Sequence, residues 1–447
     1  MIDLPGMSAE LLKHVPPQSN LGKWLVGKNV VPMTPCLPAV TCSMQATMTT
    51  GTLPKEHGII ANGIATVRSK ADQGLVDASS FGDYRTNVSF WEQSNQFLQQ
   101  PRFWQDENGI SRFKTAMLFF QNSMPGFAGA PQAAADVVLT PKPEHGADGK
   151  LASLLWAEPR ELVGELFAQL GPFPLMNYWG PLAGIAASQW IANAASFVWT
   201  KHRPQLQWTY IPHLDYDLQR FGKGGSHAIK AVQDVSAAME GLIESVQSDG
   251  GTIVLLSEYA MHEVSASVPI NRMLAEAGLL VTRESEDGQL IDYRASRAWA
   301  MVDHQVAHIY TNDAEATTAV RELFATQNGV KLMGRREQED CGLNHPRSGD
   351  LVALGDGVWF DYRWWINDER APKFAGMIDI HRKPGYDPLE LFWDRANNRI
   401  SFDARLVKGS HGVPHPGEAI YVSDEPAAPQ PIPAAQVARL VMKALDY

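Results

Sequence analysis

Cysteine is scarce: only Cys36, Cys42 and Cys341 occur among 447 residues, an odd number with no C-x-x-C spacing. That excludes a disulfide framework and a thiolate metal knuckle, and it points to a reducing cytoplasm. Uninterrupted apolar runs long enough to span a bilayer are also missing. The nearest approach, Leu182–Trp199, contains Ser188, Gln189, Asn193 and Ser196 and reads as a buried or amphipathic helix. The opening Met1-Ile2-Asp3 lacks a basic region followed by an apolar stretch, so nothing supports a secretion signal. Nor is there a Lys/Arg-rich run. With 38 basic against 49 acidic residues the net charge is −11, and a nucleic-acid polymer is not an expected partner. Small phosphorylated substrates stay open, because bound cations can neutralise phosphate where basic side chains do not.

What is present is the composition of a globular protein, 45% hydrophobic and 19% charged. The length favours one large core with a sizeable insertion. Apolar runs at Ala116–Phe120, Gln207–Ile211, Thr252–Ser257 and Val358–Tyr362 read as buried strands of a parallel sheet. A helical pattern covers Ala228–Ser248, bounded by glycines on both sides. Strands alternating with helices predict an α/β fold: a doubly wound, mainly parallel central sheet flanked by helices. Charge is denser and strand-like runs are shorter from Asn271 to Phe374. This divides the chain into a core of residues 1–270 and 375–447 and an inserted cap of residues 271–374. Pro426–Pro433 reads as a linker to a last helix, Ala434–Asp446.

In such folds ligands bind beyond the carboxyl ends of the strands, so polar residues just after a strand are the ones to inspect. Thr41 opens an apparent helix, Cys42–Thr50, after the extended approach Pro32–Val40. A hydroxyl at a helix N-terminus lies where free N–H groups and the helix dipole favour an alkoxide or a phosphate oxygen. The same position also suits an ordinary N-cap. Cys36, Ser43 and Thr34 are rival nucleophiles, and His57 invites a general-base role. Tyr210–Gly222 and Ser257–Glu263 likewise follow apolar runs.

Thr41, Thr50-Gly51, Pro54 and His57-Gly58-Ile59 reproduce a spacing in which Thr-Gly follows the first Thr by nine residues. This segment resembles the nucleophile region of the alkaline phosphatase superfamily, in its nucleotide pyrophosphatase/phosphodiesterase branch, and is similar to that of phosphonoacetate hydrolases. The resemblance implies that Thr41 is the nucleophile and His57 a structural turn residue. It also implies a set of metal ligands. Asp215 and Gly222 match a family segment whose intervening histidine position holds Gln219 here. Ser257-Glu258-Tyr259-Ala260-Met261 resembles a Ser-Asp-His-Gly-Met motif, with Glu258 and Tyr259 standing where Asp and His bind metal. Gly409-Ser410-His411-Gly412 resembles the late Gly-x-His-Gly motif, and Asp3, ahead of Gly6, lies where the family has a strand-end Asp-Gly.

The implied metal residues are therefore Asp3, Asp215, Gln219, Glu258, Tyr259 and His411. The implied cofactor is a divalent metal, zinc first, with manganese or magnesium as alternatives. Losing imidazoles at Gln219 and Tyr259 predicts a site weaker or differently selective than an all-His/Asp one. His213 reads as a packed histidine. Asp303-His304-Gln305 resembles a cap strand of relatives, and Arg382 or Lys383, within Asp379–Lys383, are candidates to hold a second anionic group. The expected activity is hydrolysis of phosphodiester, pyrophosphate or phosphomonoester bonds in a small molecule, without membrane association. The alternatives are cleavage of a carbon–phosphorus bond, or a catalytically inactive, metabolite-binding member of the fold.

Overall fold

The computed structural model describes residues 1–65, 88–91, 93–126, 132–145, 151–380, 382–424 and 431–446. Its centre is a nine-stranded sheet. From one edge to the other the strands are Ile432–Pro433, Asn29–Thr34, Ala419–Ser423, Leu255–Leu256, Ile2–Asp3, Leu206–Tyr210, Thr115–Leu118, Val137–His145 and Leu151–Glu158. Ile2–Asp3 is the hub, lying parallel between Leu206–Tyr210 and Leu255–Leu256. Its two residues and both partners are buried, as expected of a strand covered on both faces.

The sheet is mixed rather than parallel throughout. Ala419–Ser423 runs antiparallel to both of its neighbours, and the last two strands form an antiparallel pair at the far edge. Burial rather than direction sets the residue pattern of a covered strand, so apolar runs did not disclose these reversals. Another expected strand lies elsewhere: Val358–Phe360 is outside the central sheet and pairs in parallel with Ala266–Val268.

Helices flank the sheet. The pattern read over Ala228–Ser248 is two helices, Gly225–Ala238 and Glu240–Ser248, meeting at Met239. Ile185–His202 is a helix, and no helix among the described residues is long and apolar enough to cross a membrane. At the C-terminus, a 3-10 turn Ala434–Gln436 leads into the helix Val437–Ala444. The stretch read as a linker contributes Ile432–Pro433 to the sheet edge, while residues 425–430 lie outside the described ones.

A second, four-stranded antiparallel sheet is built from Ala298–Asp303, Val306–Thr311, Leu351–Gly355 and Val330–Met333. It has its own apolar cluster, including Trp299, Met301, Phe360, Trp364 and Trp365. The main cluster around the nine-stranded sheet shares no buried member with it.

Candidate active site

The Asn29–Thr34 strand ends in a Pro-rich bend, and the chain then enters the helix Thr41–Thr50. Gly51 ends that helix with φ 75°, a left-handed conformation that glycine adopts without a Cβ penalty, and its N–H closes the last turn on Thr47. Val40 occupies the cap position and Thr41 the first helical one, so the Thr41 hydroxyl is not used as a cap. Its Oγ1 lies 3.4 Å from the Tyr259 phenol oxygen.

Tyr259 in turn donates to Asp215 Oδ1 at 3.3 Å. With that phenol hydrogen committed, the Thr41 hydroxyl is the donor of the first pair. A directed line runs from Thr41 through Tyr259 to Asp215. The other Asp215 oxygen accepts from Gln219 Nε2 at 2.6 Å, one turn along the helix His213–Phe221. Gln219 Oε1 accepts from the Tyr386 hydroxyl at 2.9 Å. The Gln219 amide therefore braces Asp215, with its oxygen already engaged.

His411 follows the short strand Gly409–Ser410 and stacks flat on Tyr259, ring centroids 3.5 Å apart. Its Nδ1 donates to the Ala39 carbonyl at 2.8 Å, which fixes the tautomer and leaves Nε2 with a lone pair 3.8 Å from Asp215 Oδ1. Burial pushes the imidazole down to about 3, so it is neutral. Gly409 explains part of the motif: a Cβ there would sit 2.4 Å from the Leu218 carbonyl oxygen. Only glycine lets this strand close on the helix that carries Asp215 and Gln219.

Asp3 ends one strand, Glu258 lies two residues beyond the adjacent strand Leu255–Leu256, and the two form a second group. Both are fully buried, and all four of their carboxylate oxygens lack a hydrogen-bond partner. Burial, followed by the neighbouring Glu258 charge, raises the Asp3 carboxyl well above the usual range. Burial pushes Glu258 up to about 7, beside Asp3, Thr41 and Gln45. Asp215 is also pushed up to about 7 by burial, against the hydrogen bonds from Gln219 and Tyr259. Burial and then the Asp215 charge hold Tyr259 well above the usual phenol range, so it remains a neutral donor.

Unpaired buried carboxylate oxygens cost several kcal/mol of lost solvation unless a proton or cation accompanies them. The Asp3–Glu258 oxygens are hard donors suited to a divalent cation, and the His411 Nε2 lone pair beside Asp215 suits zinc or manganese. The residues present thus fit a metal, with the oxygen-rich pair as the better-defined part.

Other expected participants lie apart or are occupied. Cys36 is a buried thiol pushed up to about 12 by burial. The Ser43 hydroxyl donates to the Ile59 carbonyl. Thr34 ends the Asn29–Thr34 strand. His57 accepts from Ile59 N–H and pairs with Thr47, a turn-stabilising role, and burial lowers it to about 3. His213 is buried with both ring nitrogens unbonded, near Asp217 and Asp234. Lys383 is enclosed by Asp387 and Glu390, while Arg382 pairs with Asp379, so neither is a free anion clamp. His381 lies outside the described residues.

Tyr386 and Asn62 were hidden in sequence, whereas Asp303 and His304 belong to a polar cluster already singled out there. Tyr386 reaches Gln219 across 167 positions. His304, held at φ 59°, is sandwiched between Tyr386 and His411. Asp303 accepts from the Asn62 backbone and side-chain amides, while Asn62 Oδ1 accepts from Cys42 N–H in the first turn of the Thr41 helix. The flagged Asp303-His304 pair therefore buttresses this end of the sheet.

A buried hydroxyl, carboxylates and an imidazole gathered beyond the strand ends of a large mixed sheet define an α/β protein of the alkaline phosphatase superfamily. Within it, the chain belongs to the type I phosphodiesterase / nucleotide pyrophosphatase family, a family of hydrolases whose model matches residues 1–387. Among curated proteins none is similar enough in sequence to register as a match. Phosphonoacetate hydrolase from Sinorhizobium meliloti 1021, solved with phosphonoformate, superposes with a TM-score of 0.62 at 14% identity, over 99% of this chain and 94% of that one. Murine ectonucleotide pyrophosphatase / phosphodiesterase 5 gives 0.56 at 13% identity, over 100% and 94%. The human form gives 0.56 at 12% identity with the same coverage. At these identities the likeness establishes the fold.

Proposed function

We propose that the chain is a metal-dependent hydrolase of phosphoester bonds in small phosphorylated molecules, with Thr41 as nucleophile. The observation that carries this reading is the directed line Thr41–Tyr259–Asp215 beside the unpaired Asp3 and Glu258 carboxylates. Asp3 and Glu258 would hold a divalent cation, and Asp215 with His411 would form the other half of the site. Bound there, the cation would neutralise phosphate charge and favour the ionised form of the nucleophile.

The remaining chemistry belongs to the chain. As Thr41 Oγ1 forms a bond to phosphorus, its hydrogen passes to Tyr259, whose own hydrogen passes to Asp215. The bond from phosphorus to the leaving oxygen breaks in the same displacement. Asp215, raised to about 7, is a proton acceptor matched to neutral pH. His411 keeps Tyr259 in plane by stacking, and Gln219 with Tyr386 fixes the Asp215 rotamer. Water then attacks phosphorus and loses one proton to solvent, the bond from phosphorus to Thr41 Oγ1 breaks, and the hydrogen held on Asp215 returns through Tyr259 to Thr41.

Tyr259 and Gln219 stand at positions where the resemblance expects imidazoles. In this reading they compensate for that loss, with a phenol relaying the proton and an amide holding the carboxylate. Residues 271–374 form the cap that selects substrates, and the three free cysteines favour a reducing, cytoplasmic setting. The test is Tyr259→Phe, which removes the relay while keeping the ring stacked on His411. With bis(p-nitrophenyl) phosphate and manganese, kcat should fall by about 10²-fold with KM nearly unchanged. An unaltered kcat would remove Tyr259 from the mechanism. Release of phosphate from a phosphonate, without ester cleavage, would shift the reading to the carbon–phosphorus bond.

A further inference from the structure

A second group of potential ligands lies away from Thr41, on residues that the family motifs leave unassigned. His262, His415 and Glu418 each offer one donor atom, and the three atoms lie within 4.8 Å of one another. Among the described residues this is the only set of three His, Cys, Asp or Glu donors so closely gathered. His262 sits on a two-residue strand, opposite Ser410 in an antiparallel pair. His415 and Glu418 come from the loop before the Ala419–Ser423 strand, and Glu418 N–H turns back onto the His415 carbonyl. Pro414 and Pro416 flank His415 and stiffen its placement.

The hydrogen bonds around His262 say what its second nitrogen must do. Gln305 directs its side-chain N–H groups to the Gly355 and Val358 carbonyls, at 3.2 and 3.3 Å. Its Oε1 is thereby fixed as an acceptor facing His262 Nδ1 at 3.2 Å. Nδ1 must therefore carry the hydrogen, and the lone pair of a neutral ring lies on Nε2, which directly faces a Glu418 carboxylate oxygen. A lone pair against a carboxylate is repulsive unless a proton or a metal cation lies between or beside them, and the nearby His415 nitrogen makes a shared metal ion the alternative to a protonated ring. A histidine donating one ring nitrogen to a second-shell acceptor and presenting the other to a carboxylate and a second imidazole is arranged as a metal ligand.

We propose that His262 Nε2, a His415 ring nitrogen and a Glu418 oxygen bind one divalent transition-metal ion, with zinc the best match to two imidazoles and a carboxylate. Three protein ligands on a partly exposed edge leave water to complete the coordination. The site is tied to His411, since Gln305 N–H donates to the His411 carbonyl at 2.8 Å. It would clamp the loop carrying His411 against the second sheet.

The inference stands whether or not the Asp3–Glu258 group binds metal, and the test separates the two. Full-length protein is stripped with chelator, dialysed against zinc chloride and assayed for bound zinc, alongside His415→Ala, Glu418→Gln and Asp3→Asn/Glu258→Gln. His415→Ala and Glu418→Gln should each hold one equivalent less than the parent, or bind that equivalent at least about 10-fold more weakly. Asp3→Asn/Glu258→Gln should retain the equivalent that His415→Ala removes. If the Asp3–Glu258 reading alone fails, the parent holds one equivalent and His415→Ala none. The proposal is overturned if His415→Ala and Glu418→Gln bind as much zinc as the parent with equal affinity. His262 and Glu418 would then be a plain ion pair. Cobalt(II) in place of zinc provides a second readout, since visible d–d bands should be lost in the His415→Ala protein.

Discussion

Replacing Thr41 by alanine should lower kcat toward bis(p-nitrophenyl) phosphate by at least about 10³-fold while leaving the thermal transition almost unchanged. The rate should collapse because no other hydroxyl is placed to substitute: Ser43 donates to Ile59, and Cys36 is held as a buried thiol. The fold should persist because Val40, not Thr41, occupies the cap position, so alanine removes no capping bond. Alanine is also a good residue for a first helical turn. Thr41→Ser should retain part of the rate, because it keeps the oxygen that faces Tyr259 and gives up only a methyl group. Circular dichroism and steady-state rates on the three proteins check this directly.

Removing metal should have the second large effect, and its sign with pH follows from the buried carboxyls. Asp215 and Glu258 rise from ordinary values of 3.8 and 4.5 to about 7 in the folded chain. At these two carboxyls the folded metal-free protein therefore binds more protons than the unfolded one, while the buried imidazoles of His57 and His411, lowered to about 3, bind fewer. The carboxyl contribution to stability is fully present below the ordinary carboxyl values and is lost as pH rises through about 7. Because the imidazoles act in the opposite sense, the carboxyl contribution is read against a variant: from pH 5 to pH 8 the metal-free parent should lose roughly 5 °C more in melting temperature than Asp3→Asn/Glu258→Gln. Manganese or zinc added at pH 8 should restore the difference and release protons. Asp3→Asn/Glu258→Gln should abolish the pH slope from Glu258 and the part of the restoration that comes from metal at Asp3–Glu258, and should lower turnover by at least about 10²-fold. Asp215→Asn should keep metal at Asp3–Glu258 yet lose turnover, because the proton from Thr41 then has no acceptor. Calorimetry with and without metal at the two pH values is the check.

What could be read in the sequence was local. Thr41, Asp215, Glu258 and His411 each sit within a short segment whose spacing is informative, and Gly51 and Gly409 mark a helix end and a close backbone approach. Strand direction could not be read, because a covered strand is apolar whichever way it runs. The Ala419–Ser423 strand thus enters the sheet antiparallel with no forewarning. The supporting shell was equally hidden. Tyr386 and Asn62 act through contacts between distant segments, and no spacing along the chain encodes that a phenol will meet Gln219. The His262–His415–Glu418 group is the extreme case, its His262 and Glu418 lying 156 positions apart and outside every recognised motif. Nor could sequence decide whether Gln219 and Tyr259 were losses or replacements. Their hydrogen bonds to Asp215 give each a role that depends on being an amide and a phenol.

The central claim is that Thr41 becomes covalently bonded to phosphorus during turnover. Rapid acid quenching of manganese-loaded protein mixed with excess bis(p-nitrophenyl) phosphate, followed by peptide mass spectrometry, tests it most directly. The account predicts a p-nitrophenyl phosphoryl ester on the peptide containing Thr41, localised to that side chain, formed with release of one p-nitrophenolate and absent from Thr41→Ala. Turnover accompanied by an ester on Ser43 or Cys36, or by single-turnover hydrolysis with no covalent species at any quench time, would contradict it.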